Sequence, residues 1–359
     1  MSNKVIIASA GSGKTTYLVR KAIELRDEKI LITTYTDQNA NEIKAKFHEI
    51  NHCVPQNVTI LPWFTFLLQD GVRPFQGVVY KKRISYINLV NGTSTPYVAE
   101  TKFKKHYMSD DETIYSDKLS KLVCKINGLS KGSTMSRLEK IYSHIFIDEV
   151  QDLAGYDLNV LELLFASTIN TILVGDPRQA TFVTNNSLKN SQFKYSNIDD
   201  FFTQKQKENI IEYDNTTLNV NHRCVQSICD FANGLFPEYE ASQSDNDVID
   251  AHTGIWFVTP EDVTHYLQVY NPVILRHDKR TKTPQSYHAL NFGKSKGRTF
   301  NRVLIFPTGP ILSWIQKGKH MENTSRCKFY VALTRAKLSV AIVFDPKGNN
   351  TRQIPIYQR

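Results

Sequence analysis

The chain has 359 residues, 41% of them hydrophobic and 22% charged, enough for two or three units that each bury a core, and unlike a disordered or collagen-like chain. Lys and Arg number 44 against 35 acidic residues, a net charge of +9, which favours a polyanionic partner without naming one. No apolar run reaches the roughly 18 to 20 residues of a membrane span, and the opening stretch runs into a glycine turn instead of a cleavage site, so a cytoplasmic protein with no membrane contact is expected.

Residues 5–8 are a short β-branched run that feeds a glycine turn and then a helical stretch over 15–25: strand, loop, helix. A second strand over 30–33 leads to Thr36 and Asp37, which can cap a helix over 38–47. The runs 145–147, 171–174, 273–275, 303–306 and 340–344 are apolar over nearly their whole length. Such strands are buried on both faces, as in a parallel sheet covered by helices, and the expected class is therefore α/β.

The residues 71–140 hold 13 Lys/Arg and 6 Asp/Glu, so +7 of the net charge sits there, together with seven aromatics that include Tyr80, Tyr86, Tyr97 and Phe103. Cations for phosphates interleaved with rings for bases make a single-strand track, with Lys81, Lys82 and Arg83 as its densest cluster. The competing reading is a solvated insertion with a small aromatic core of its own. Five cysteines with no CxxC pair read as reduced thiols.

Ala10, Gly11, Ser12, Gly13, Lys14, Thr15 and Thr16 follow the first strand and open the first helix. Gly11 and Gly13 let backbone N–H groups close around phosphate oxygens, the helix N-terminus adds positive potential, Lys14 reaches the β and γ phosphates, and Thr15 can ligate Mg²⁺. Ala8 stands where the full P-loop spelling has its first glycine. After the apolar run 145–147 come Asp148 and Glu149, at the C-terminal end of a strand, where open α/β sheets bind ligands. Asp148 suits the Mg²⁺ and Glu149 the water that attacks the γ-phosphate.

The stretch Asp148-Glu149-Val150-Gln151-Asp152 and six further blocks resemble, in order, the motifs of the UvrD/Rep-like superfamily 1 DNA helicases. Residues 33–43 are similar to the family's TFTNKAAxEM, 63–66 to TFHSF, 174–179 to VGDxxQ, 221–223 to NYR, 296–300 to KGxEF and 330–337 to YVALTRAK. The resemblance implies a P-loop NTPase of two tandem RecA-like lobes: residues 1–69 with 141–213 as the first, 214–359 as the second, and 70–140 inserted in the first. It implies ATP and Mg²⁺ as cofactors, Gln179 as γ-phosphate sensor, and Arg223 and Arg335 as arginine fingers. His222 replaces the family tyrosine that stacks on the base, Gly297 permits a tight loop near the nucleotide, and Thr36 and Lys296 fall at strand-contacting positions. Trp63 and Phe64 are stacking candidates, with burial in a core as the alternative.

Only 14 residues separate Arg276 from Asn291, where larger relatives insert a second subdomain, so a compact form is expected. The implied function is an ATP-driven translocase that moves 3′ to 5′ on single-stranded DNA and opens duplex at junctions. The alternative is a DNA-stimulated ATPase or nucleotide-switched sensor that works with a partner, such as a nuclease or a replication, repair or defence factor. A small-molecule kinase is disfavoured by the two distant arginine motifs.

Overall fold

The computed structural model describes residues 3–185, 187–347 and 352–359. In chain order the first elements are β1 (Asn3–Ile7), α1 (Lys14–Glu24), β2 (Ile30–Thr34), α2 (Asp37–Asn51), β3 (Val58–Pro62) and α3 (Trp63–Phe66). After them come β4 (Tyr86–Asn88), α4 (Phe103–Tyr107), β5 (Thr113–Tyr115), α5 (Leu119–Leu129) and α6 (Ser133–Ile141). The chain then returns through β6 (His144–Ile147), α7 (Tyr156–Phe165), β7 (Asn170–Gly175), α8 (Ile198–Lys207) and β8 (Glu212–Asp214). Its remainder forms β9 (Val220–Asn221), α9 (Gln226–Asn233), β10 (Gln243–Ser244), β11 (Gly254–Val258), α10 (Val263–Tyr270), β12 (Val273–Arg276), β13 (Ala289–Asn291), β14 (Phe300–Phe306), α11 (Gly309–Lys317), α12 (Asn323–Leu333) and β15 (Ala336–Val343).

Contacts divide the chain into two units: Met1–Ile7, Lys14–Pro177 and Val183–Asp214 make the first, and Ala8–Gly13, Arg178–Phe182 and Asn215–Arg359 the second. The first unit holds a parallel sheet in the order β3-β2-β6-β7-β1-β8. All five residues of β2 are buried, as the unbroken apolar spelling of a central parallel strand requires. The polar edge strand β8 joins through Lys4, whose ammonium reaches Glu212 at 2.8 Å and Asp214 at 2.9 Å. Thr36 caps α2, its hydroxyl accepting from Asn39 N at 3.1 Å.

In the second unit the sheet runs β11-β15-β14-β12-β13, again parallel throughout. Val303 and Ile305 of β14 and Val340 and Ile342 of β15 enter one core cluster. Leu304 and Ala341, the residues between them, enter a second cluster with Tyr266 and Tyr357. Side chains alternate across a strand, so both faces of this sheet are covered. The fold is thus α/β with two parallel sheets, the arrangement of RecA-like lobes.

The basic stretch folds as part of the first unit. β4 and β5 form a two-stranded parallel ribbon, and Tyr80, Phe103 and Tyr107 stack in sequence with centroids 5.4 and 4.9 Å apart. Lys82 and Lys104 both pair with Asp111, while Lys121 and Lys125 meet Glu100 at 2.8 and 2.9 Å. Among the described residues no helix is long and apolar enough to cross a membrane.

Candidate nucleotide site and nucleic-acid contacts

β1 ends at Ile7 and α1 begins at Lys14, so the intervening turn is bounded by the two elements that a phosphate cradle needs. The Ser12 hydroxyl donates to Ser9 O at 2.8 Å and closes the turn. Gly11 has φ +73°, and a Cβ there would lie 2.6 Å from Asn221 Oδ1 and 2.9 Å from Arg223 Cβ. Both the left-handed backbone and the close approach therefore demand glycine.

In the first unit the Thr15 hydroxyl donates to Asp148 Oδ2 at 3.2 Å, and Asp148 is buried at the end of β6. Burial, and then the neighbouring Glu149 charge, push the Asp148 carboxyl above its ordinary range. Glu149 sits at φ +57°, a left-handed conformation for a residue with a full side chain. Its carboxylate accepts from the Gln151 amide, and Gln151 Oε1 accepts in turn from Asp176 N at 3.0 Å. Gln151 is wholly buried. Gly175 makes room for it, since a Cβ on that residue would meet Gln151 Oε1 at 2.5 Å. The sequence reading gave Gln151 no role, although it lies inside the motif that supplied Asp148 and Glu149.

In the second unit Arg335 is 2% exposed. Its Nε donates to Val331 O at 3.1 Å, its Nη2 to Gln179 Oε1 at 2.9 Å, and its Nη1 to Arg298 O at 3.4 Å. Arg223 Nη1 donates to Thr334 O at 3.1 Å, one residue before Arg335. Asn221 Oδ1 accepts from Arg223 N at 2.8 Å and Cys224 N at 2.9 Å, which fixes the local turn. His222 N donates to Gly11 O at 3.0 Å, while its exposed ring meets Asp245 at 2.6 Å. Arg178, which the sequence reading passed over, donates to Ala8 O at 3.2 Å and lies 5.3 Å from the ring centres of both Tyr239 and Tyr330. The structure therefore brings Gln179 to Arg335 in one unit, and Thr15, Asp148 and Glu149 together in the other.

The strand-contacting expectations divide. Lys81, Lys82 and Arg83 are exposed, as a phosphate-binding cluster requires. Lys296 has its ammonium 4.8 Å above the Phe182 ring, and Gly297 takes φ +80° in the turn that follows. The stacking expectation for Trp63 and Phe64 is overturned, because Trp63 is 1% and Phe64 7% exposed. Trp63 Nε1 donates to Asp157 Oδ1 at 2.9 Å. Asp157 also accepts from Ser120 and Thr184, and burial raises its carboxyl. The Phe64 ring instead packs edge-on against Tyr35. The exposed rings of the first unit are Tyr86, at 65%, and Tyr97, at 99%.

Sequence models of two families match the chain: an AAA domain over residues 1–185 and the viral superfamily 1 RNA helicase core domain over residues 114–344. Among solved structures it is similar to arterivirus nonstructural protein 10 (helicase), with 15% identity and a TM-score of 0.50 over 98% of this chain and 62% of that one. The complex of that arterivirus protein with DNA aligns over the same spans at 15% identity and a TM-score of 0.51. The chain thus covers less than two thirds of the length of these structures, and at such identity the likeness is one of fold. No curated protein matches it.

Proposed function

The chain belongs to the superfamily 1 helicases, and from that premise we propose that it hydrolyses ATP to move along a single nucleic-acid strand. One observation carries the reading: the Thr15 hydroxyl stands 3.2 Å from a buried Asp148 carboxylate, next to a Glu149 restrained by Gln151. Thr15 and Asp148 fit Mg²⁺. They offer the oxygen donors a hard cation takes. When bound, the ion would draw charge from the phosphate oxygens.

This chain's own residues do the rest. Lys14 and the amides of Ala10 to Thr16 hold the phosphates, and Glu149 orients and deprotonates the attacking water. Gln179 reads the γ-phosphate, and its hydrogen bond to Arg335 passes that reading to the arginine. Arg223 and Arg335 supply cations to the transferring phosphate, His222 faces the base and Gly297 shapes the adjoining loop. Thr36, Lys81, Lys82, Arg83 and Lys296 contact the strand.

The resemblance of the motifs supports a UvrD/Rep-like DNA enzyme, with the 3′ to 5′ movement of that family, and the DNA complex of the arterivirus protein agrees with DNA as ligand. A second reading, RNA as the strand, is favoured by the match to the viral RNA helicase core. With only 14 residues between Arg276 and Asn291, the chain has little with which to grip a duplex, so unwinding alone is weak or needs a partner such as a nuclease. The deciding experiment measures ATP turnover with no nucleic acid, with single-stranded DNA and with single-stranded RNA. Stimulation by one strand selects the ligand; turnover indifferent to both defeats the translocase reading.

A further inference from the structure

Asp157 lies wholly buried in the first turn of α7, where the helix N-terminus favours a negative charge. A buried charge is costly unless its oxygens are met by donors, and this one is met from four directions. Its Oδ1 accepts from Trp63 Nε1 at 2.9 Å and from the Ser120 hydroxyl. Its Oδ2 accepts from Ala154 N at 3.3 Å and from the Thr184 hydroxyl. The indole and the amide can only donate, so each oxygen faces a group that demands an acceptor. A carboxylate serves both; a side-chain amide would turn its own N–H groups against one of them.

The four donors fall into two pairs. Trp63 opens α3 and Ser120 lies in α5, and these two fasten the carboxylate to helices. Ala154 and Thr184 lie in loops, the first downstream of Glu149 and the second downstream of Gln179. The Thr184 hydroxyl, while it donates to Asp157, also accepts from Ala154 N at 3.1 Å. Thr184 N donates to Asp152 O at 2.8 Å, and Asp152 N donates to Glu149 O at 3.0 Å. Two backbone hydrogen bonds thus lead from Thr184 to Glu149, whose φ of +57° persists only with support from its neighbours. The stretch from Gln179 to Thr184 has little slack, because Thr181 N folds back onto Gln179 O at 2.9 Å and Ala180 is wholly buried.

We propose that Asp157 is a positioning residue for ATP hydrolysis: through the Thr184 hydroxyl it fixes the end of the Gln179 segment on the loop that follows Glu149. The proposal rests on the reading of Glu149 and Gln179 as the groups that act on the water and the γ-phosphate. Asp157 bonds neither side chain, and its effect reaches them through the backbone. Lys14 and Thr15, which hold the nucleotide, are not among its partners. Loss of the linkage therefore lowers turnover and leaves nucleotide binding in place.

The test compares four variants of the full chain. Thr184→Val keeps the branched shape and loses the hydroxyl, Thr184→Ser keeps the hydroxyl, Ser120→Ala removes a donor on the helix side of the same carboxylate, and Asp157→Asn replaces one acceptor by a donor. Steady-state ATP turnover, the KM for ATP and thermal unfolding are measured for each. Thr184→Val should lower kcat about tenfold with KM within about twofold, and Thr184→Ser should recover the parent rate. Ser120→Ala should melt at a lower temperature with kcat within about twofold of the parent. Asp157→Asn should lose at least as much turnover as Thr184→Val, and the double variant no more than Asp157→Asn alone, since both changes break one linkage.

A parent-like kcat in folded Thr184→Val, or an equal loss in Ser120→Ala, makes Asp157 a packing residue and overturns the proposal. So does a Thr184→Val chain that does not fold. If only Asp157→Asn fails to fold, the comparison of Thr184→Val with Thr184→Ser and Ser120→Ala decides by the same outcomes. A parent chain with no ATP turnover defeats the hydrolase reading itself, and the proposal falls with it; turnover in the parent with no loss in Thr184→Val defeats the positioning role alone.

Discussion

Replacing Gln151 by Ala tests the geometry around Glu149 most directly. The side chain is wholly buried and makes two opposed hydrogen bonds, one to the Glu149 carboxylate and one from Asp176 N at 3.0 Å. A hydrogen bond to a charged group contributes about 1.5 to 3 kcal/mol, and a buried amide deprived of its acceptor costs about 1 to 3 kcal/mol. Because the two share one side chain and are not additive, a loss of roughly 2 to 4 kcal/mol in stability is expected. Glu149 is also held at φ +57°, a conformation that costs of order 1 to 3 kcal/mol and persists only when neighbours enforce it. Without Gln151 the carboxylate leaves its position, and a misplacement of about 1 Å lowers turnover about 100-fold. Nucleotide affinity should hold, since Gln151 bonds neither Lys14 nor Thr15. Denaturant unfolding, steady-state ATP turnover and binding of a fluorescent nucleotide measure the three quantities. A folded Gln151→Ala protein within threefold of the parent turnover would refute the positioning role.

Lys14→Ala should abolish ATP turnover and weaken nucleotide binding, whereas Glu149→Gln should retain binding and lose turnover by about 100-fold or more, as removal of a group that acts in the transition state does. Trp63→Phe should cost about 1 to 3 kcal/mol in unfolding experiments, because Asp157 loses a buried donor, with strand affinity of the folded protein unchanged; reduced affinity at full stability would restore a stacking role. Burial alone would raise Glu100, but hydrogen bonds from Lys121, Lys125 and Tyr107 hold it down at about 2, below its ordinary 4.5. Its contribution to stability is therefore full above about pH 4.5 and lost as pH falls toward 2, and Glu100→Gln should flatten that part of the pH dependence in thermal melts. Neutralising Lys81, Lys82 and Arg83 together should lower strand affinity and flatten its salt dependence by up to about 2 in the log–log slope, with basal turnover intact; an unchanged slope would leave the cluster as ordinary surface charge.

Elements written in contiguous residues are legible in the sequence. The strand, glycine turn and helix around Lys14, the apolar strand ahead of Asp148 and the Thr36 cap all depend on neighbours within a few positions. Functions set by distant partners are not. Whether Trp63 packs or stacks depends on Asp157, 94 residues away, and aromatic spacing is the same in both cases. Arg178 owes its place to Ala8, 170 residues away, and to Tyr239 and Tyr330. The edge strands β8 and β13 are three residues each and carry no unbroken apolar run, so periodicity had nothing to register. β14 begins at Phe300, ahead of the expected 303, because its first residues are partly exposed and a register shift separates Phe300 from Arg302.

The charge count of the insertion overstates what a strand would feel. Asp111 takes Lys82 and Lys104, Glu100 takes Lys121 and Lys125, and Arg137 reaches Asp70 at 3.2 Å. Arg73 is turned inward to the carbonyls of Ile84 and Ser85 at 2.9 and 2.7 Å, where it closes the loop that carries Lys81, Lys82 and Arg83. Part of the basic composition therefore builds the insertion. Exposed pairs are cheap to break, contributing about 0 to 1 kcal/mol each, so Lys82 and Lys104 can still exchange Asp111 for a phosphate. Arg73 cannot, since its release would leave two backbone acceptors without their donor. Cations that could meet a phosphate and cations that build the stretch are thus of the same residue type, and only burial and hydrogen-bond partners separate them.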